Sequence, residues 1–148
     1  MTLLEKKKSI VNLFEKQNIL SAHIDAELLI AHVLDVPREH VLLHPDEIIN
    51  DENNEKINEL IERRLLFEPI AYILKSREFY SLDFYIDSRV LIPRPETELL
   101  VDMTLYYAPQ NGCVLDLCTG SGVIAISVKK YRNDLAVFGC DISYDALQ

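Results

Sequence analysis

The chain has 148 residues, 49% of them hydrophobic, and a formal net charge of −9. This length suits one ordinary domain or two small ones. The negative charge argues against a general nucleic-acid or anionic-membrane binder, because a phosphate surface repels such a chain unless a strong basic patch is present. The only basic run is Lys6–Lys8, and no apolar run approaches a membrane span or a signal core. We therefore expect a soluble, cytoplasmic protein.

Apolar residues at helical spacing predict a small bundle at the start of the chain. The predicted helices cover residues 2–18, 21–34, 37–43, 51–66 and 70–74. Pro37 separates the second helix from the third, and Pro69 ends the fourth. The residues expected to face inward are Leu3, Leu4, Ile10, Val11 and Phe14 in the first helix, Ile24, Leu28, Leu29, Ala31 and Val33 in the second, and Ile57, Leu60, Ile61 and Leu65 in the fourth.

Neither the histidines nor the cysteines form a convincing metal site. His40 and His44 have i, i+4 spacing, but no cysteine or further histidine lies near them in the sequence. The three cysteines are an odd number and form no C-x-x-C motif, which argues against a disulfide framework or a zinc site. We predict no metal and expect buried thiols in a reducing compartment; the cysteines are Cys113, Cys118 and Cys140.

After the bundle, the pattern changes to alternating aromatic segments. Residues 77–80 and 82–86 are separated by Ser81, which predicts a β-hairpin between two units.

Residues 93–98 read Pro-Arg-Pro-Glu-Thr-Glu, in which two prolines hold Arg94 extended and Pro95 begins a helix through about Ala108. One interpretation is a rigid linker followed by a well-capped helix. The other is that Arg94 and Thr97 border a ligand pocket, where an arginine suits a carboxylate.

Residues 114–122, Val-Leu-Asp-Leu-Cys-Thr-Gly-Ser-Gly, predict a buried strand and a glycine-bearing turn, and residues 123–126 continue into a helix. Such a turn presents bare backbone N–H groups and the positive end of a helix dipole to a ligand, and its glycines permit close approach. A second strand, 136–140, ends at Asp141, where a carboxylate is the usual partner of an adenosine ribose diol. These features predict a nucleoside-cofactor half-site.

Spacing distinguishes between cofactors. A dinucleotide fingerprint needs glycines at Cys118, Gly120 and Val123, and no P-loop sequence is present. D-x-G-x-G-x-G, the first motif of the Rossmann-like S-adenosylmethionine methyltransferases, fits with Asp116, Gly120 and Gly122 in place. Cys118 stands at the first glycine position, which a small residue fits if its φ is negative. The alternative is an ordinary strand–turn–helix without a ligand.

The chain resembles the PrmC/HemK family, bacterial protein-glutamine methyltransferases that modify peptide chain release factors. Four segments carry the resemblance in the family's order and spacing: Glu-Pro-Ile-Ala-Tyr-Ile at 68–73, Glu78-Phe79, Leu-Ile-Pro-Arg-Pro-Glu-Thr-Glu at 91–98, and the 116–122 motif. The family usually has glycine at the positions of Lys75, Ser81 and Cys118.

This resemblance implies an α/β fold with three parts. Residues 1–75 would be a helical domain that docks the release factor, 76–92 a β-hairpin linker, and 93–148 the beginning of a truncated Rossmann-like class I methyltransferase domain. The activity implied is S-adenosylmethionine-dependent methylation of the glutamine side-chain amide in the release factor's Gly-Gly-Gln motif, with no direct nucleic-acid or membrane partner. The cofactor residues implied are Asp116, Cys118, Thr119, Gly120, Ser121 and Gly122, with Asp141 at the ribose and Arg94 and Thr97 at the methionine end.

The family's Asn-Pro-Pro-Tyr motif, which binds the reacting amide, does not occur in the sequence. We therefore assign no catalytic residue and expect an N-terminal portion of a longer enzyme, inactive in methyl transfer by itself and with apolar strand faces uncovered. Two alternatives stay open: a nucleic-acid adenine amino-methyltransferase of the same fold, and a non-enzymatic protein-binding adaptor.

Overall fold

The computed structural model describes residues 1–148, which divide into two compact units, Met1–Leu74 and Lys75–Gln148. Five helices form the first unit: α1 (Leu3–Lys16), α2 (Ala22–Leu34), α3 (Arg38–Leu43), α4 (Asp51–Leu65) and α5 (Ile70–Leu74). The helical periodicity of the sequence is confirmed for all five. Every helix is too short or too polar to span a lipid bilayer.

Side-chain caps fix where the two longest helices begin. The Thr2 hydroxyl accepts a hydrogen bond from the Glu5 amide at 3.2 Å, and Glu5 Oε2 accepts one from the Thr2 amide at 2.9 Å. At the start of α4, Asn50 Oδ1 accepts from the Asn53 amide at 2.7 Å. These bonds satisfy N–H groups that a helix leaves without intrahelical partners.

An apolar core holds the first unit together, but two of the residues predicted to face it are exposed. Leu4 is 39% exposed and Ile24 is 49% exposed, so their predicted inward orientation is wrong. The fully buried side chains of this unit are Leu3, Ile10, Phe14, Ala26, Leu29, Ile30 and Ile57.

Two acidic residues of α2 are buried where apolar residues were expected. Asp25 is paired with Arg64 of α4 at 2.8 Å, and Glu27 accepts from Lys7 of α1 at 2.6 Å and from Arg38 of α3 at 2.7 Å. Because α2 packs against helices on several sides, basic side chains from those helices neutralise its inward-facing carboxylates. Periodicity alone could not show this.

The second unit begins with the predicted β-hairpin, in which β1 (Ser76–Phe79) pairs antiparallel with β2 (Leu82–Tyr85). Three residues at its ends have positive φ: Lys75 at 54°, Tyr80 at 52° and Ser81 at 58°. Positive φ at both turn residues gives a two-residue connection that matches the right-handed strand twist. The backbone is therefore left-handed at Lys75 and Ser81, two residues with side chains at positions where the family that the chain resembles usually has glycine.

A helix-crossover unit completes the fold. After a 3₁₀ turn (Pro95–Thr97) come α6 (Glu98–Tyr107), β3 (Cys113–Leu117), α7 (Val123–Tyr131) and β4 (Ala136–Cys140). The strands β3 and β4 pair in parallel, with Leu117 opposite Cys140. A strand–helix–strand unit with parallel pairing places the turn after β3 beside the end of β4.

One face of the β3–β4 pair is apolar and exposed, as expected for uncovered strand faces. The Asp116 carboxylate accepts a hydrogen bond from the α7 backbone, so α7 packs on the Asp116 side. Residues of the other side include Leu115, Leu117 and Phe138, each more than half exposed. The expectation of buried thiols is wrong, because Cys113 and Cys140 lie in this face and Cys118 lies in the turn, all three exposed.

Candidate functional site

The turn that joins β3 to α7 contains three residues in the left-handed region. Their φ angles are 61° for Cys118, 54° for Gly120 and 75° for Gly122. The condition stated for a small residue at this position, a negative φ, is therefore not met at Cys118. A residue with a Cβ is strained in this conformation, by about 1 kcal/mol, whereas glycine adopts it freely.

Asp116 joins the strand, the turn and the helix. Its Oδ2 atom accepts a hydrogen bond from the Thr119 hydroxyl at 2.7 Å and another from the Ala125 amide at 3.2 Å. The side chain of Thr119 is thus directed into the protein, so Thr119 could meet a ligand only through its backbone. Asp116 of β3 therefore connects the turn to the first residues of α7 and fixes its position.

Asp141 lies opposite the turn, as the sequence predicts. Its Oδ2 accepts from the Gly120 amide at 2.8 Å and its Oδ1 accepts from the Ser143 amide at 2.9 Å. The donors at Ser143 and Gly120 hold the pKa of Asp141 below its ordinary value. The carboxylate is therefore ionised at neutral pH and can accept further hydrogen bonds.

The turn offers fewer bare N–H groups than the sequence suggests. The Thr119 amide donates to Cys140 O at 3.0 Å, the Gly122 amide donates to Thr119 O at 2.8 Å, and the Gly120 amide is bound by Asp141. These contacts fix the shape of the turn, while the Ser121 amide forms no hydrogen bond within the protein. The expectation of bare N–H groups is corrected: the amides of Thr119, Gly120 and Gly122 already have partners.

Ser121 also borders a cleft of about 610 Å³ in the second unit. The charged residues of this cleft are Asp83, Asp87, Arg89 and Asp145. Arg89 is bound to Asp87 at 2.8 Å, and this contact lowers the pKa of Asp87 to about 2. The remaining carboxylates give the cleft an excess of negative charge, which favours a cationic ligand over a phosphate. These residues could not be found from the sequence, since nothing in their spacing relates the hairpin to the turn.

The two residues predicted at the methionine end occupy a separate segment. Arg94 is exposed at the start of the 3₁₀ turn, and Thr97 is half-buried at its end. The Arg94 guanidinium forms no ion pair, and no hydrogen bond connects either side chain to the 118–122 turn. Their role at a cofactor stays a prediction.

The histidine pair of the first unit has a local explanation. The rings of His40 and His44 stack with centroids 4.0 Å apart, and His40 Nε2 lies 2.7 Å from Glu47 Oε2. Nowhere in residues 1–148 do three or more metal-binding side chains come together.

Comparison with known proteins identifies relatives of the whole chain. Residues 7–74 match the PrmC N-terminal domain. The chain is 44% identical to a release factor glutamine methyltransferase of Aliivibrio fischeri over 129 residues, which are 86% of this chain and 45% of that protein. A protein of the same name from Neisseria gonorrhoeae is 45% identical over 84% of this chain and 46% of its own length. Another, from Leptospira interrogans, is 39% identical over 100% of this chain and 52% of its own length. The chain thus spans about half the length of the curated relatives it matches.

Proposed function

We propose that this chain is part of an S-adenosylmethionine-dependent methyltransferase. Its residues 7–74 belong to the PrmC N-terminal domain family, and it is homologous to release factor glutamine methyltransferases over most of its length. The turn at 118–122 and Asp141 bind S-adenosylmethionine, in a Rossmann-like methyltransferase domain that begins near residue 93. The complete protein transfers the methyl group to the glutamine side-chain amide in the Gly-Gly-Gln motif of a peptide chain release factor. Residues 1–75 dock that release factor, and the hairpin at 76–92 links the two parts.

The observation that carries the cofactor proposal is the position of the ionised Asp141 carboxylate at the turn. Each carboxylate oxygen has about two acceptor sites, and each uses one of them on a backbone amide of Gly120 or Ser143. One acceptor site on each oxygen is left for the two hydroxyls of a ribose. The same amides hold Asp141 in place before the ligand arrives.

Charge in the neighbouring cleft supports a sulfonium cofactor over a dinucleotide. The sulfonium and ammonium groups of S-adenosylmethionine are both cationic. The cleft beside Ser121 carries three carboxylates and one arginine, which is already paired with one of them. A pyrophosphate would be repelled there. At the methionine end, the unpaired Arg94 guanidinium is a suitable partner for the ligand's carboxylate.

The chemistry asked of the complete protein is demanding, because an amide nitrogen is a weak nucleophile whose lone pair is delocalised. Fixing the NH₂ group and aligning it with the methyl–sulfonium bond lowers the barrier by orientation and electrostatics. Residues 1–148 contain no Asn-Pro-Pro-Tyr sequence that could do this. We therefore expect this chain to bind the cofactor and to transfer no methyl group by itself.

Calorimetry with S-adenosylhomocysteine tests the cofactor proposal on the chain as it stands. Binding is expected for the unmodified chain and loss of at least about tenfold in affinity for Asp141→Ala, which removes the ribose acceptor. Glu78→Gln is the matched control, because Glu78 is an exposed hairpin carboxylate without a hydrogen bond. No heat with the unmodified chain, or equal affinity in Asp141→Ala, contradicts the proposed site.

A chimera tests the activity. Residues 1–148 replace the matching part of the Aliivibrio fischeri relative, and the product is given tritiated S-adenosylmethionine with a release factor, DNA or RNA. Label is expected in the release factor and absent when its Gly-Gly-Gln glutamine is replaced. Label in adenine would favour the nucleic-acid alternative, and the absence of both label and cofactor binding would favour the adaptor.

A further inference from the structure

Gly139 of β4 lies directly against Thr119 of the turn. A Cβ atom at Gly139 would be 2.9 Å from Thr119 Oγ1, 3.1 Å from its Cγ2 and 3.2 Å from its Cβ. A contact under 3.0 Å requires one of the two residues to shift. Unlike Gly120 and Gly122, Gly139 does not have a positive φ, so the glycine is needed here for space and not for conformation.

Thr119 cannot move aside without disturbing the turn. Its hydroxyl is bound to Asp116 at 2.7 Å, its amide donates to Cys140 O at 3.0 Å, and its carbonyl accepts from the Gly122 amide at 2.8 Å. The next residue, Gly120, is bound to Asp141. A displacement of Thr119 would therefore also displace the Gly120 amide and the Asp141 carboxylate, the two groups that face the proposed cofactor.

We infer that Gly139 is a positioning residue for the cofactor turn. Its missing side chain allows Thr119 to lie against β4, and Thr119 in turn sets the distance between the Gly120 amide and the Asp141 carboxylate. The expected effect on cofactor binding rests on the proposed function, but the steric contact between Gly139 and Thr119 can be tested without any ligand.

Amide hydrogen exchange of the chain without cofactor is the first test. Gly139→Ala is expected to speed exchange of the Thr119 and Gly120 amides by about tenfold or more, because overpacking of this kind displaces its neighbour. Ala136→Ser, which adds one atom at an exposed position at the other end of the same strand, is the control and should leave both amides unchanged.

A double variant separates crowding from a general loss of stability. Thr119→Ala removes the two closest atoms, so in that background Gly139→Ala should change the Gly120 exchange rate by less than about threefold. An equal effect of Gly139→Ala in both backgrounds would overturn the inference, as would no effect in the unmodified chain.

Affinity for S-adenosylhomocysteine is the second readout. If Gly139 positions the turn, Gly139→Ala weakens binding by about tenfold and its effect shrinks in the Thr119→Ala background. If the unmodified chain binds no cofactor while the exchange results hold, the proposed function fails and the steric role stands. If the chain binds and Gly139→Ala binds equally well, the positioning role fails and the proposed function stands.

Discussion

Arg64 Nε lies 2.8 Å from Asp25 Oδ2, and only 3% of the Asp25 side chain is exposed. The same carboxylate oxygen also accepts from the Ser21 hydroxyl at 2.7 Å. This buried pair connects α2 to α4 across the interior of the first unit. Removing one partner leaves an uncompensated charge in a site that water does not reach.

Arg64→Ala is therefore expected to destabilise the first unit by about 3 kcal/mol or more. Urea unfolding followed by far-ultraviolet circular dichroism measures the loss, since α2 packs against every other helix of this unit. Lys56→Ala is the matched control, because its i, i+4 pair with Glu52 is solvent-exposed and such pairs contribute at most about 0.5 kcal/mol. Similar losses in the two variants would contradict the structural role of the buried pair.

The lowered pKa of the buried Glu27 carboxyl predicts how the stability of the first unit depends on pH. Burial by itself raises the pKa of Glu27, but hydrogen bonds from Lys7 and Arg38 outweigh it and hold the pKa below its ordinary value of 4.5. A carboxyl group with a lowered pKa in the folded state stabilises the protein above the unfolded pKa. That stabilisation is lost as the pH falls through the lower, folded value.

Glu27→Gln should thus be less stable than the unmodified chain at pH 7, and the difference should shrink below about pH 4. The measurement is the free energy of unfolding in urea at several pH values. Glu55→Gln, an exposed position on α4, should show no such convergence. A difference that stays constant down to about pH 3 would argue against ionic stabilisation by Glu27.

Local sequence patterns predicted the elements well where one physical cause dominated. The proline stops at 37 and 69 and the alternation in the hairpin each act within a few residues, so the element ends follow from them. The orientation of α2 did not follow, because charges on other helices decide whether Asp25 or Ile24 points inward.

The candidate site was predictable only in part, for the same reason. The glycine motif and Asp141 are local signals, and the structure brings the Gly120 amide and the Asp141 carboxylate within 2.8 Å. The acidic cleft beside Ser121 draws its charges from the hairpin and the end of the chain, and no spacing rule connects them. The requirement for glycine at 139 depends on one contact between strand and turn.

The hairpin offers a test of backbone strain. Ser81 has a φ of 58° at an exposed turn position, where a Cβ atom costs more than the extra flexibility of glycine. Ser81→Gly should therefore raise the free energy of unfolding of the second unit by about 0.5 kcal/mol. Glu78→Gly, in an extended strand of the same hairpin, should lower it by a similar amount. Loss of stability in both variants would show that Ser81 is not strained.

Cys118 combines strain with a place in the proposed site, and the two effects can be separated. Its φ of 61° is a property of the turn without any ligand, so replacing it by glycine removes strain from the free and the bound protein alike. Cys118→Gly should therefore raise the free energy of unfolding by up to about 1 kcal/mol and change the affinity for S-adenosylhomocysteine by less than about threefold. Cys118→Val should destabilise the chain, because a β-branched side chain fits the left-handed region worse. A large gain in affinity for the glycine variant would instead mean that the Cys118 side chain obstructs the ligand.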